Sequence, residues 1–374
     1  MSAPGPTMLL IGGGHAHLAV LADWIKHGPP APNLAVLTPS KHLRYSGMVP
    51  GWISGEHASD AGLVDVEALA RRAGAEFIAD RCVSLDPLAY KVLTAEGRVL
   101  SFDIASIDTG GVGRAARILG EDPRVLDVRP IDRFAEALNE RRDKARDGSS
   151  HIAVAGGGAG GVELAFGLRN WRGAEQQARI TLVEGAEGLL PGFSATAHRL
   201  VAGEMAAQGI ERIGGDARIA DGTLLADDKP IEPVDLIVTA LGSAAPDWPG
   251  ASGLATDEEG FIAVDRYQRS VSHPHIFAAG DVASRQDRPV PRSGVHAVHT
   301  GPVLAANLRA ALSGGDPKRS YRPRPASLYL LSTANGSAIA TYGPLAAQGR
   351  WAAKLKRWID KRWIASYADL SNAV

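Results

Sequence analysis

Two short stretches constrain this chain more than anything else in it. Met8 to His17 reads MLLIGGGHAH, and Ile152 to Gly161 reads IAVAGGGAGG. Each is an apolar run that ends in glycines and leads into a helical pattern, HLAVLADWI after the first and VELAFGLRNW after the second. Gly12 and Gly14, and again Gly156 and Gly158, allow a tight turn and let backbone N–H groups approach a diphosphate. The helix N-terminus behind them adds unpaired donors and the positive end of its dipole. One glycine run alone also makes an ordinary turn. Two of them, each between a strand and a helix, predict an α/β chain with two Rossmann-like dinucleotide-binding units. The rival reading is one working site and one structural relic.

The 374 residues are 45% hydrophobic and 22% charged, with a formal net charge of −1. That balance suits a soluble globular protein of two or three domains and argues against broad nucleic-acid binding. The lone cysteine, Cys82, has no partner for an internal disulfide. No apolar run approaches the roughly 18 residues of a membrane span. The start, MSAPGPT, lacks the pattern of a signal peptide, so we expect a cytoplasmic protein.

After the first motif, Asn33 to Thr38 reads as the second strand of the unit. Thr38 or Ser40 stands where an acid often holds a ribose hydroxyl, and His17 replaces the third glycine. Both departures weaken a plain NAD reading of the first site. Pro39 to His57 is rich in Gly, Pro and aromatic residues without clean periodicity, which predicts an irregular functional loop. Val83 to Phe102 reads as an antiparallel ribbon, and Ile104 to Thr109 as a buried strand stopping at Gly110 and Gly111. A charged helix is expected from Asp132 to Arg146. In the second unit the second strand, Ile180 to Glu184, does end in an acid. Glu184 can accept from both hydroxyls of an adenosine ribose, and no Arg or Lys follows closely to invite a 2′-phosphate; NADH is therefore favoured over NADPH. Val234 to Ala240 reads as a buried strand closing at Gly242, and Ile276 to Ala279 runs into Gly280 and Asp281. Val295 to Leu312 reads as a helix despite Pro302, and Asn335-Gly336 predicts a hairpin between SLYLLST and SAIATY.

The residues GGGHAH (12–17), RYSGMVPG (44–51), IDTGG (107–111), GGGAGGVEL (156–164), TALG (239–242), FAAGD (277–281), GPVLAANLRAAL (301–312) and LYLLST (328–333) form a pattern spanning nearly the whole chain. It resembles the two-dinucleotide-domain flavoproteins of the pyridine nucleotide-disulfide oxidoreductase superfamily. The likeness is greatest to the flavoprotein module fused to selenophosphate synthetase and to type II NADH dehydrogenases. The resemblance implies a glutathione-reductase-like fold with FAD on the first motif and NAD(P)H on the second. It implies a discontinuous FAD domain of residues 1–115 and 255–315, an NAD(P)H domain of 116–254, and a C-terminal hairpin and helix over 316–374. Gly12, Gly14 and His15 would meet the flavin pyrophosphate, Thr109 and Gly110 its second crossing, and Gly280 and Asp281 the ribitol. The helix starting near Val295 would aim its N-terminus at the flavin ring. Gly156, Gly158, Gly161, Glu184 and Gly242 would hold NAD. Glu163 matches the acid after the second motif, as a nicotinamide-positioning or proton-relaying group or simply as a helix N-terminal acid.

The chain also departs from that pattern. With Cys82 alone and remote from the motifs, thiol relay and sulfide chemistry are disfavoured. His296 and His299 stand where type II NADH dehydrogenases carry glutamines, and histidine can deliver a proton to a reduced quinone. No metal-ligand cluster is visible among the remaining histidines. Arg350 to Tyr367 has Trp351, Leu355, Trp358, Ile359 and Trp363 near one helical face and basic residues on the rest. That segment reads either as a peripheral contact with the inner face of the cytoplasmic membrane or as a helix packing on its own domain or on a homodimer partner. The function expected is transfer of two electrons from NADH through FAD to a small acceptor, a quinone first. Transfer to a protein carrier and an NADH-sensing role with little turnover are the rivals.

Overall fold

The computed structural model describes residues 7–144, 150–171 and 178–372. Two five-stranded parallel sheets organise them. The first runs in the order Ile276–Ala278, Ile104–Ile107, Thr7–Ile11, Asn33–Leu37, Glu76–Ile78. The second runs Val125–Asp127, Leu236–Thr239, His151–Ala155, Arg179–Val183, Glu211–Ile213. The motif strands are unbroken apolar runs because each is buried on both faces, as parallel sheets require. Each motif strand is central, and strand order reverses beside it, which opens a crevice at the C-terminal edge of the sheet. The edge strand of the first sheet, Ile276–Ala278, comes from beyond the whole second sheet in the chain.

Helix His15–His27 follows the first motif strand and packs against helix Gly294–Leu312. Their approach is close because Gly301 lies on Ala16 and Ala19, where a Cβ would press on Ala19. The core beneath includes the fully buried Trp24, Leu18 and Phe277. Helix Ala159–Arg169 plays the same part in the second unit, with Phe166 and Val162 at the centre of its core. The expected helix over 132–146 is described as Ile131–Lys144; its last two residues lie outside the described residues. Among the described residues no helix is long and apolar enough to cross a membrane, and no three His, Cys, Asp or Glu side chains group to hold a metal.

Two expectations need correction and one is extended. The segment 39–57 is not irregular. His42–Arg44 pairs with Leu63–Asp65, and Val49–Ile53 forms a short helix with Pro50 in its first turn, where a missing N–H costs nothing. Trp52 and Ile53 are buried in the second unit's core, and Gly167 leaves room for the Pro50 carbonyl. The expected hairpin forms, Leu328–Ser332 pairing with Ala338–Tyr342, and is extended by a third strand, Leu345–Gly349. Its third strand, LAAQG, carries no β-branched or aromatic residue to announce it. Finally, the C-terminal helix, Arg350–Asn372, turns the tryptophan stripe partly outward: Trp351 and Trp358 are 52% and 60% exposed. Its inner face consists of Ala352, Ala353, Lys356, Asp360, Trp363 and Tyr367.

Candidate functional site

At the first motif the chain turns through Gly12 (φ +96°), where a Cβ would collide with the Asp108 carbonyl. Gly14 precedes the helix and supplies no side-chain cap. Asp108 supplies it instead: its Oδ2 accepts from the Ala16 N–H at 2.8 Å and the His17 N–H at 3.1 Å. Gly14 and Gly280 both lack the Cβ that would strike this carboxylate. Burial pushes the Asp108 carboxyl up to about 7, despite the two N–H donors. Sequence reasoning missed Asp108, although it named Thr109 and Gly110 next to it. The only available signal was an acid at the end of a buried strand.

His17 shows why the third glycine is dispensable here. Its fully buried ring donates from Nδ1 to the Gly12 carbonyl at 2.6 Å and accepts the Ser106 hydroxyl at Nε2, 2.9 Å away. Helix and strand are tied by hydrogen bonds rather than by direct backbone contact. Burial lowers both His17 and His15 to about 4, so both rings are neutral at pH 7.

Beside this turn lie two more of the predicted residues, whereas Thr109 is exposed and does not line their cleft. Gly280 (φ +69°) and Asp281 face a cleft of about 360 Å³, counting its open mouth, together with Arg285, Ser293, His296 and Tyr321. Asp281 pairs with Arg129 at 2.9 Å. His296 Nδ1 and the Tyr321 hydroxyl are 2.7 Å apart, and burial lowers the His296 pKa. Ser293, the residue before the long helix, lines the same cleft and makes no side-chain cap; Gly294 and Val295 follow it as the helix begins. His299 is exposed and does not line it.

The second motif repeats the turn with a different finish. A Cβ on Gly156 (φ +127°) would meet the Ala240 carbonyl, and one on Gly161 would meet the Gly156 carbonyl. Gly158 begins the helix with open space at its Cα and no side-chain cap. Glu184 ends the strand Arg179–Val183 with its side chain largely buried, and Gly242 turns at φ +79° across from it. The sequence reading found no cation nearby. The fold supplies one: Arg212, on the adjacent strand Glu211–Ile213, forms an ion pair with Glu184 through Nε. Sheet register brings together what 28 residues separate.

Between the motifs lies a buried polar junction. Glu163, in helix Ala159–Arg169, accepts the Ser332 N–H at 2.9 Å and lies 3.7 Å from Lys356 Nζ. Lys356 is also 3.7 Å from Asp360 Oδ2. Tyr45 lies near enough to Asp360 to oppose the rise in its pKa, and the Tyr45 ring stacks on Trp363 with centroids 4.4 Å apart. His15 completes the group, 5.4 Å from Trp363 and 5.8 Å from Tyr45. Sequence reasoning found Glu163 but none of its partners on the C-terminal helix.

A family model for the pyridine nucleotide-disulphide oxidoreductases matches residues 6–301. The chain belongs to that family. It is an FAD-dependent NAD(P)H oxidoreductase. A type II NADH:quinone oxidoreductase of Staphylococcus aureus is 26% identical over 333 residues, 80% of either chain. In fold, the chain is similar to the sulfide:quinone oxidoreductase of Aquifex aeolicus, with a TM-score of 0.78, 17% identity, and coverage of 98% of this chain and 92% of that one. It is also similar to a water-forming NADH oxidase of Lactobacillus brevis, with a TM-score of 0.71, 20% identity, and coverage of 91% and 75%. The residues present fit FAD. Two buried polar atoms, His15 Nε2 beside the first motif and Ser293 Oγ just before helix Gly294–Leu312, have no hydrogen-bond partner among the described residues.

Proposed function

We propose that this protein takes hydride from NADH and delivers two electrons to a small acceptor, a quinone in the first instance. The observation that carries this reading is the pairing of two glycine-lined helix starts, each at the strand-order reversal of its own parallel sheet. Bound FAD would accept the hydride and pass the electrons on. Gly12, Gly14, His15, Thr109, Gly110, Gly280, Asp281 and Val295 would hold it, within a domain of residues 1–115 and 255–315. Gly156, Gly158, Gly161, Glu184 and Gly242 would hold NADH within 116–254. Glu184 favours NADH because its carboxylate repels a 2′-phosphate and already engages the nearest cation, Arg212.

The acceptor would enter between the 39–57 segment, the start of helix Gly294–Leu312 and the strand Leu328–Ser332. His296 lines the cleft that holds Asp281 and Tyr321 and is the better candidate of the two histidines for handling a proton; His299 is exposed and lies outside that cleft. Most of the rate would come from holding donor and flavin in contact. A quinone dissolved in lipid also suits the outward face of the C-terminal helix. Trp351 and Trp358 are exposed there beside Lys354, Lys361 and Arg362, a pattern suited to an anionic bilayer surface. A homodimer contact is the competing use of that face. Anaerobic titration with NADH, then with a short-chain ubiquinone analogue, tests the reading. Bleaching by NADH followed by rapid recovery with quinone is expected. A reduced flavin that recovers only with a ferredoxin, or not at all, overturns it.

A further inference from the structure

Tyr321 belongs to the stretch between helix Gly294–Leu312 and strand Leu328–Ser332, which contains no helix or strand of its own. The fold nevertheless fastens that stretch at two points. Asn307, fully buried and about three turns beyond His296 on the same helix, accepts the Lys318 and Arg319 N–H groups at 3.2 and 2.9 Å and donates to the Arg319 carbonyl at 2.8 Å. Arg285 donates to the Tyr321 carbonyl at 3.1 Å and is itself held by Asp287 through hydrogen bonds of 2.7 and 2.8 Å. Tyr321, placed by these anchors, is 9% exposed, and its hydroxyl meets His296 Nδ1 at 2.7 Å. A tyrosine hydroxyl has one proton to give, and a buried one needs an acceptor for it. Nδ1 is the sole acceptor it has among the described residues, so the O–H points at that nitrogen and Nδ1 carries no proton. The proton of the neutral imidazole is then on Nε2, which has no hydrogen-bond partner among the described residues.

We propose that Tyr321 is a positioning residue for His296: it fixes the imidazole as the Nε2–H tautomer, a neutral hydrogen-bond donor for a carbonyl oxygen of the ring being reduced at the cleft of Asp281 and Ser293. The proposal rests on the oxidoreductase reading above and narrows it, because His296 presents a proton and keeps it. Reduction of a flavin or of a quinone places negative charge on carbonyl oxygens. A donor already in place stabilises that charge without reorganising, and a neutral imidazole can do so without transferring its proton. The surroundings of His296 keep it neutral. Asp281, the carboxylate of the cleft, is paired with Arg129; Arg285 is engaged by Asp287, and Arg292 by Asp257 and Glu259. Burial disfavours the imidazolium, and His299 on the same helix adds to that. Burial also raises the Tyr321 pKa, so the hydroxyl keeps its own proton. Asn307 and Arg285 already fasten the linker, which leaves the hydroxyl for the ring.

The test uses the holoprotein with isotope-labelled histidine, and the variants Tyr321→Phe, His296→Gln and the two combined. Nitrogen NMR of the wild type should show one ring, absent from His296→Gln, with Nδ1 bare and Nε2 protonated from pH 8 to pH 6. In Tyr321→Phe that ring should become a mixture of tautomers and take its second proton at a pH about one unit higher. One rate should slow in Tyr321→Phe by about tenfold at pH 8, and by less at pH 6, where an imidazolium carries N–H on both nitrogens. If the oxygen is the flavin's, bleaching by NADH slows and the flavin midpoint potential falls. If it is the quinone's, reoxidation by the ubiquinone analogue slows while bleaching and potential hold. In the His296→Gln background the change at Tyr321 should alter neither rate. An Nδ1–H tautomer in the wild type, an unchanged tautomer in Tyr321→Phe, two unchanged rates, or an equal loss in the His296→Gln background overturns the proposal. Should Tyr321→Phe fail to fold, the wild-type spectrum alone decides. A flavin that ignores NADH and NADPH overturns the function, while the tautomer, read without any donor, still decides whether Tyr321 fixes the ring.

Discussion

Asp108 and Ala16 are joined across the first motif: the carboxylate of one accepts the backbone N–H of the other at 2.8 Å, at the mouth of a helix suited to a diphosphate. An acid and a pyrophosphate in that neighbourhood repel each other unless the acid is neutral. Burial places the Asp108 pKa at about 7, above its ordinary value near 4, so the folded protein binds this proton more tightly than the unfolded chain does. The energetic cost of ionising Asp108 in the fold therefore begins above the unfolded value and is complete once pH passes about 7. FAD affinity of the apoprotein is expected to fall by about tenfold between pH 6 and pH 8. In Asp108→Asn it should stay flat. Fluorescence titration of apoprotein with FAD at the two pH values checks both statements.

The two histidines of the first motif act in the opposite sense. His15 and His17 are lowered to about 4, so the fold favours their neutral forms. Their contribution is intact above the unfolded value near 6.5 and is lost as pH falls from there to about 4. His17→Gln, which can keep one donor and one acceptor, is expected to flatten part of that acid loss. His17→Ala leaves the Gly12 carbonyl and the Ser106 hydroxyl without their partner and opens a cavity, at a cost of about 3 kcal/mol. Thermal unfolding of both variants at pH 7 and pH 5 separates the two effects.

Under the proposed function, Glu184 and Arg212 would set donor choice between them. Replacing Glu184 by Ala frees Arg212 to meet a 2′-phosphate and removes the acceptor for ribose hydroxyls. The ratio of kcat/KM for NADPH to that for NADH should rise by about a hundredfold, tenfold from each change. In Glu184→Ala/Arg212→Ala the gain for NADPH should disappear while the loss for NADH remains.

Gly158 and Gly161 differ in what surrounds them, and their alanine variants should differ accordingly. Gly161→Ala drives a methyl into the Gly156 carbonyl and is expected to cost about 3 kcal/mol of stability. Gly158→Ala meets nothing in the protein, so the melting temperature should hold while affinity for the pyridine nucleotide drops by about tenfold or more. Calorimetry and spectral titration with NADH read the two outcomes.

The outward tryptophans offer a test that leaves the fold alone. Trp351→Ala/Trp358→Ala should keep the melting temperature and reduce binding to vesicles containing anionic phosphatidylglycerol by about tenfold. High salt should weaken the wild-type contact as well. Unchanged vesicle binding, or a shift from dimer to monomer in the variant, would point to a protein contact.

Much of the fold was legible because it depends on local signals: two glycine turns, buried apolar strands, and Asn335-Gly336. The turn residues of both motifs were legible for the same reason. What was missed is long-range. Asp108, Arg212 and Lys356 each reach their partner only through sheet register or the docking of a distant helix, and no spacing along the chain encodes those meetings. The C-terminal helix was misread in one respect for a physical reason. Its tryptophans outweigh its alanines in any hydrophobic pattern, yet the face that packs is set by small residues and by the charges that meet Glu163.

The late arrival of Ile276–Ala278 has a consequence for synthesis. When a ribosome has completed the second sheet, the first still lacks the strand that closes its edge at Ile104–Ile107. Neither sheet can be divided from the other by cutting the chain once, and the sheet that begins first in the chain is the one finished last.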